Sequence, residues 1–216
     1  MSAAGGSRPT DPNENRLFRW AEDIHPHVWD DLAARPPQEA AQATGAAWDG
    51  RAYTISMLGR SYVADPGQRR IHLRDDPRRR LSYQAGLVIL TTLIRSLGVP
   101  PAERMVTPQE LPGGGLFFQG PHAINTGPLE ERFGYDPQAL LAAARPLDAE
   151  PFAGGDAGLR LMGLPMVPLY VLLWTGDEEF KPRAVVGLDA HAHHHLALDG
   201  IWALTNLMVH RLTGGG

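Results

Sequence analysis

Near its C-terminal end the chain reads Asp189-Ala190-His191-Ala192-His193-His194-His195, with metal-ligand side chains at every second position. On an extended strand successive side chains alternate between faces, so Asp189, His191, His193 and His195 share one face. Val186, Leu188, Ala190, Ala192, His194 and Leu196 then share the other. A His-x-His pair on a strand brings two imidazoles within reach of one ion, and a third His or a carboxylate completes a site with room for water. Same-face neighbours on a flat strand lie about 6.6 Å apart, so adjacent members can chelate together and the end members need a bend. The expected set is therefore two of the histidines plus a residue from elsewhere. Such ligands suit Zn²⁺ or Fe²⁺ better than Mg²⁺ or Ca²⁺, which prefer oxygen shells. Asp189 would ligate directly or fix an imidazole tautomer. Neutral imidazole is also an axial ligand, so haem or a corrinoid stays open. The competing reading is a solvated His-rich loop ahead of the last helix.

Other constellations carry less. Asp177-Glu178-Glu179 could raise one carboxylate for general acid work, but it reads first as a charged hairpin turn at the end opposite the histidines. Gly113-Gly114-Gly115 runs into Leu-Phe-Phe with no Lys-Ser/Thr, so it makes no phosphate loop. No Gly-x-Ser-x-Gly elbow occurs. Arg78-Arg79-Arg80, preceded by Arg74, is the densest basic run. Interleaved Asp75 and Asp76, and the absence of a nearby aromatic platform, make it a solvated connection. His25, His27 and His122 are isolated candidates.

Composition bounds the rest. With 216 residues and 43% of them hydrophobic, the chain can bury one large core. A net charge of −4 gives no general field for nucleic acid or an anionic membrane. The absence of cysteine excludes disulfides, thiolate zinc sites, cysteine-ligated iron-sulfur clusters and cysteine nucleophiles. The N-terminus lacks the apolar run of a signal peptide, and no segment offers about 20 apolar residues for a span. A cytoplasmic protein is expected, with a flexible leader over residues 1–14 and a single domain over 15–213.

These groups must be positioned by elements the pattern also predicts. Leu17, Phe18, Trp20, Ala21 and Ile24 share a helical stripe that Pro26 interrupts, and two short helices follow, one ending before Pro36 and one from Gln38 to Thr44. Short strands over 52–58, 60–64 and 70–73, separated by turn signals at Gly59 and Asp65-Pro66-Gly67, predict an antiparallel meander. Ser82 caps a central apolar helix over 82–97, with Tyr83, Leu87, Leu90, Ile94 and Leu97 on its stripe and Gly98 as its left-handed stop. Leu111-Pro-Gly-Gly-Gly115 is a flexible connection. Helices over 128–133 and 137–144 precede strands over 159–164, 167–174 and 183–189. Asp199 caps a final helix over 200–212. Strands in runs give an α+β class with mostly antiparallel pairing.

The last two thirds resembles the bacterial family known as domain of unknown function 3786. The shared pieces are Tyr83-Gln84 with the apolar helix, Glu110-Leu111-Pro112-Gly113-Gly114, Gly155-Asp156, Leu164-Pro165 with Val167-Pro168, Trp174-x-Gly176-Asp177-Glu178-Glu179-Phe180, Leu188-Asp189 and His195-Leu196. The resemblance implies a setting near corrinoid and one-carbon enzymes or cluster-binding segments. A cluster role does not transfer to a chain without Cys, and His191 and His193 stand outside the shared pieces.

The expectation is an accessory or binding protein holding a metal ion or metallocofactor at Asp189, His191, His193 and His195. Its rivals are a metal-dependent hydrolase using the same ion to activate water, and a protein-interaction module whose histidines are incidental.

Overall fold

A computed structural model describes residues 19–214. The expected leader, and Leu17 and Phe18 of the first stripe, lie outside that range. Ala21–Asp23 is a single 3-10 turn. Pro26 does not break a helix; it opens one, α1 (Pro26–Ala34), because the first helical position needs no N–H. α2 (Pro37–Thr44) stops at Gly45, whose φ of 69° is left-handed.

The expected three-strand meander forms from β2 (Tyr53–Met57), β3 (Arg60–Asp65) and β4 (Arg70–Leu73), and a short strand the sequence did not predict, β1 (Ala47–Trp48), pairs with β2 at its edge. Met57 pairs with Arg60, so Leu58 and Gly59 alone make the β2–β3 turn, and both have positive φ, 50° and 72°. That is the signature of the turn whose twist matches a hairpin. Leu58 is held in a conformation costly for a side chain by its own burial and by an N–H bond to Gly163 O.

α3 (Tyr83–Arg95) is the central helix, with Ser82 Oγ accepting from Ala85 N. It ends at Arg95, not Leu97. Ser96 leaves the helix because its hydroxyl and the next backbone N–H are bonded elsewhere, Ser96 Oγ to Ala43 O and Leu97 N to His194 O. Leu97, expected on the buried stripe, is 69% exposed. The Pro-Gly-Gly-Gly run is not simply a flexible link: it folds into one helical turn, α4 (Gly114–Phe117). α5 (Gly127–Phe133) and α6 (Pro137–Ala144) follow, Asp136 capping the latter through Ala139 N.

A second antiparallel sheet has the order β5-β9-β8-β7-β6. Its strands are β5 (Met105–Val106), β6 (Glu150–Pro151), β7 (Ala157–Leu164), β8 (Val167–Trp174) and β9 (Arg183–Asp189). α7 (Leu198–Leu212) closes the chain. Ala197, not Asp199, is its N-cap, and Asp199 lies in its first turn. α7 packs on α3, and α1 and α2 pack on α3 from other sides. One continuous apolar core links both sheets and the helices, so the class is α+β in a single domain. Among the described residues no helix is long and apolar enough to cross a membrane.

Candidate functional site

The histidine segment is not a strand. β9 ends at Asp189, whose Oδ1 accepts the backbone N–H of His191 two residues on, a local bond that turns the chain. The same oxygen takes Ala102 N at 2.8 Å. Ala192–His194 then forms a 3-10 turn. Alternation therefore lapses after Asp189, and the shared face expected for Asp189, His191, His193 and His195 does not form.

Each member of that set is instead engaged by backbone. His195 is 1% exposed, with Nε2 2.9 Å from Val99 O and Nδ1 2.8 Å from Ser96 Oγ. A carbonyl only accepts, so Nε2 carries the hydrogen and, in the neutral ring, Nδ1 is the acceptor. The one hydroxyl hydrogen of Ser96 thus faces two acceptors, Nδ1 and Ala43 O at 2.6 Å. Burial is the largest influence holding the His195 imidazole below its ordinary value, with His194 and His191 adding to it; the Val99 carbonyl and Asp189 oppose. His195 fastens the ends of α2 and α3 to the strand exit. His191 Nδ1 lies 2.9 Å from Pro100 O and His193 Nδ1 3.0 Å from Ala190 O. His193 and His194 rings stand 4.0 Å apart. Asp189 is fully buried, and its Oδ2 has no hydrogen-bond partner among the described residues. No group of three or more His, Asp or Glu among the described residues is placed to hold a metal ion.

A different region has the opposite character. A cleft of about 650 Å³ opens between the β2–β3 turn, the start of α3, the loop around Pro121–Asn125 and one face of α7. Its floor is apolar, made by Met57, Leu58, Leu81, Ala85 and Leu207. Aromatic rings stand at Trp20, Tyr62 and Trp202, and amides at Gln84, Asn125 and Asn206. Arg60, Arg79, Arg80 and Arg211 line it, with His210, and no carboxylate does.

Tertiary packing builds this group. Trp20 is fixed by a bridge to Ser82, and the Arg80 guanidinium lies over its ring at 4.4 Å while ion-pairing with Glu22 at 3.4 Å. Arg60 and Tyr62 occur on the same side of β3, two residues apart. Arg60, Arg79 and Arg211 make no ion pair with any described residue. Their mutual proximity is registered electrostatically: burial first, then the positive charges of Arg60 and Arg79, push the Arg211 guanidinium below its ordinary value. Burial first, and Asp75 last, raise the Tyr62 hydroxyl, while Arg60, Arg211 and Arg79 pull it down.

Sequence reasoning passed over this cleft. Arg78-Arg79-Arg80 reads as a solvated connection for want of an aromatic platform beside it, yet Trp20 and Trp202 line the cleft together with Arg79 and Arg80. The only local hint is a basic run placed directly before a helix cap. Asp177, by contrast, closes the β8–β9 turn as expected, its Oδ1 accepting from Glu179 N and Phe180 N far from the histidines.

A family model described as Domain of unknown function (DUF3786) matches residues 36–211. No curated protein and no solved structure matches the chain. The matched span contains the histidine segment and the cleft arginines, and leaves out Trp20.

Proposed function

The chain belongs to the family described as Domain of unknown function (DUF3786), and we propose that it is a binding protein that takes a small anionic ligand into the arginine cleft. One observation carries this reading: Arg60, Arg79, Arg80 and Arg211 line one cleft with Tyr62 and no carboxylate does, Asp75 being the one acidic group near enough to act on Tyr62, in a chain whose net charge is −4. Like charges that outnumber the acids beside them repel and destabilise the free protein, so the arrangement gains most from an anion that satisfies several of them. The volume falls in the range of small-molecule sites, and an apolar floor with a few polar groups is their usual make-up. Ser82, the one aliphatic hydroxyl in the lining, is used as a helix cap.

The test is calorimetric titration with tripolyphosphate and with citrate at low salt. Saturable one-to-one binding, weakened about tenfold or more in an Arg60→Ala, Arg211→Ala double variant, supports the reading, since a charge-assisted bond contributes about 1.5–3 kcal/mol. Absence of saturable binding by either anion overturns it.

A second reading, metal capture at His191 and His193, rests on one observation. Both rings donate Nδ1–H to carbonyls, which leaves the Nε2 lone pair for a ligand, as in metal-bound imidazoles. Two such ligands would hold Zn²⁺ or Fe²⁺ weakly, with water completing the shell. Metal content of tag-free protein after dialysis tests it; retention abolished by His191→Ala with His193→Ala supports it, and no retention removes it.

A further inference from the structure

Resting on the cleft reading above, we infer that the ligand is a nucleoside phosphate, with its phosphates among Arg60, Arg79 and Arg211 and its base against Trp202.

The cleft-facing surface of α7 changes chemistry along its length. Trp202, Asn206 and His210 are spaced four apart and so stack on one face, with Leu207 and Arg211 beside them. At 1.5 Å per residue, Trp202 and Arg211 are separated by about 13.5 Å along the axis. A ligand lying along this face meets an indole, then an amide, then cations. The opposite walls repeat the order: Pro121, Ala123 and Asn125 belong to the loop by His122, whose ring meets the Trp202 indole edge-on at 5.8 Å, while Arg60 and Arg79 stand by Arg211. A flat heteroaromatic ring, a hydroxylated spacer and a phosphate tail present those groups in that sequence.

Phosphate fits the cationic end better than dispersed carboxylates. Arg60, Arg79 and Arg211 line the same cleft as Tyr62, and a phosphate chain concentrates several charges within their reach with oxygens suited to bidentate Arg contacts. Helix dipoles do not decide the matter. The start of α3 adds about half a positive charge and the end of α7 about half a negative one, so they offset and the side chains set the field. The amides of Asn125, Asn206 and Gln84 can donate to and accept from sugar hydroxyls or base edges, a match that an aliphatic polyanion would leave unused.

The probes are ATP, GTP, CTP, UTP, adenosine, tripolyphosphate and citrate, titrated into the full chain by calorimetry without metal. At least one nucleoside triphosphate should bind tenfold or more tighter than tripolyphosphate. Arg79→Gln, an exposed position that leaves the core untouched, should lower affinity for the triphosphates and tripolyphosphate alike. Trp202→Leu should remove the nucleoside advantage and leave tripolyphosphate binding unchanged; circular dichroism checks its fold, and Asn206→Ala gives an independent reading at the same end. If tripolyphosphate or citrate binds as tightly as every nucleoside triphosphate, the nucleoside assignment fails and the anion cleft stands. If none of the probes binds, both fail together.

Discussion

The histidine segment and the arginine cleft each gather several ionisable side chains, and the fold treats them in opposite ways. Around Asp189 and His195 three of the four side-chain polar atoms have partners within the fold, Asp189 Oδ1 and His195 Nε2 on backbone and His195 Nδ1 on Ser96 Oγ, and Asp189 Oδ2 alone has none among the described residues. Around Tyr62 three guanidiniums have no partner among the described residues, and a fourth rests on Trp20. Satisfied polar groups hold a structure together, whereas unsatisfied charges facing one cavity cost stability and are relieved by something outside the chain. Spacing made the first region look chemical, and packing makes the second one so.

The sharpest way to break that contrast is His195→Ala. Removing a buried ring bonded on both sides strands Val99 O and leaves a cavity beside Ser96 Oγ, which keeps Ala43 O, and should cost roughly 2–4 kcal/mol in a urea denaturation. A loss under about 0.5 kcal/mol would mean that His195 is no fastening.

The next effect is pH dependence from the same residue. Its folded-state proton affinity lies below the ordinary value of 6.5, so the unfolded chain binds the proton more readily. Stability is then fully present above pH 6.5 and falls as pH drops through 6.5 toward the folded value, by up to about 1.4 kcal/mol per pH unit for one proton. Denaturation midpoints between pH 7.5 and 5 check this, with His195→Gln flattening the slope in that window. A wild-type stability that rises on acidification contradicts the assignment.

A smaller effect of opposite sign is expected in the cleft. Arg79→Gln relieves repulsion and should raise the ligand-free melting temperature by about 1–2 °C, a modest gain because the side chain is solvent-screened. Smallest of all is Asp177→Ala in the β8–β9 turn. It should leave the global transition unchanged and speed amide exchange at Glu179 and Phe180, whose N–H groups it accepts.

What could be read from the sequence follows from how local each signal is. The helix α3, the Asp136 cap and the three-strand meander depend on neighbours within a few residues, and all formed, but of the expected α3 stripe only Leu90 is buried, the core face being Ala85, Val88, Ile89, Thr92 and Leu93. The histidine row rested on a period of two over four residues, too short to separate a strand from a turn. Asp189 decided it, acting as an acceptor for its own backbone instead of a ligand. The end of α3 was misplaced because Ser96 is drawn off by Ala43 and His195, partners far away in the chain. The cleft left almost no trace, since its members at 20, 60–62, 79–82 and 202–211 meet only after α3 and α7 pack.

Binding of an anion where the arginines converge is tested most directly by melting the wild type and an Arg79→Gln, Arg211→Gln double variant, each with and without tripolyphosphate. The wild type should gain stability with the anion, as any ligand specific to the folded state confers, and the variant should start higher and gain markedly less. Equal shifts in both proteins, or none in the wild type, would contradict it.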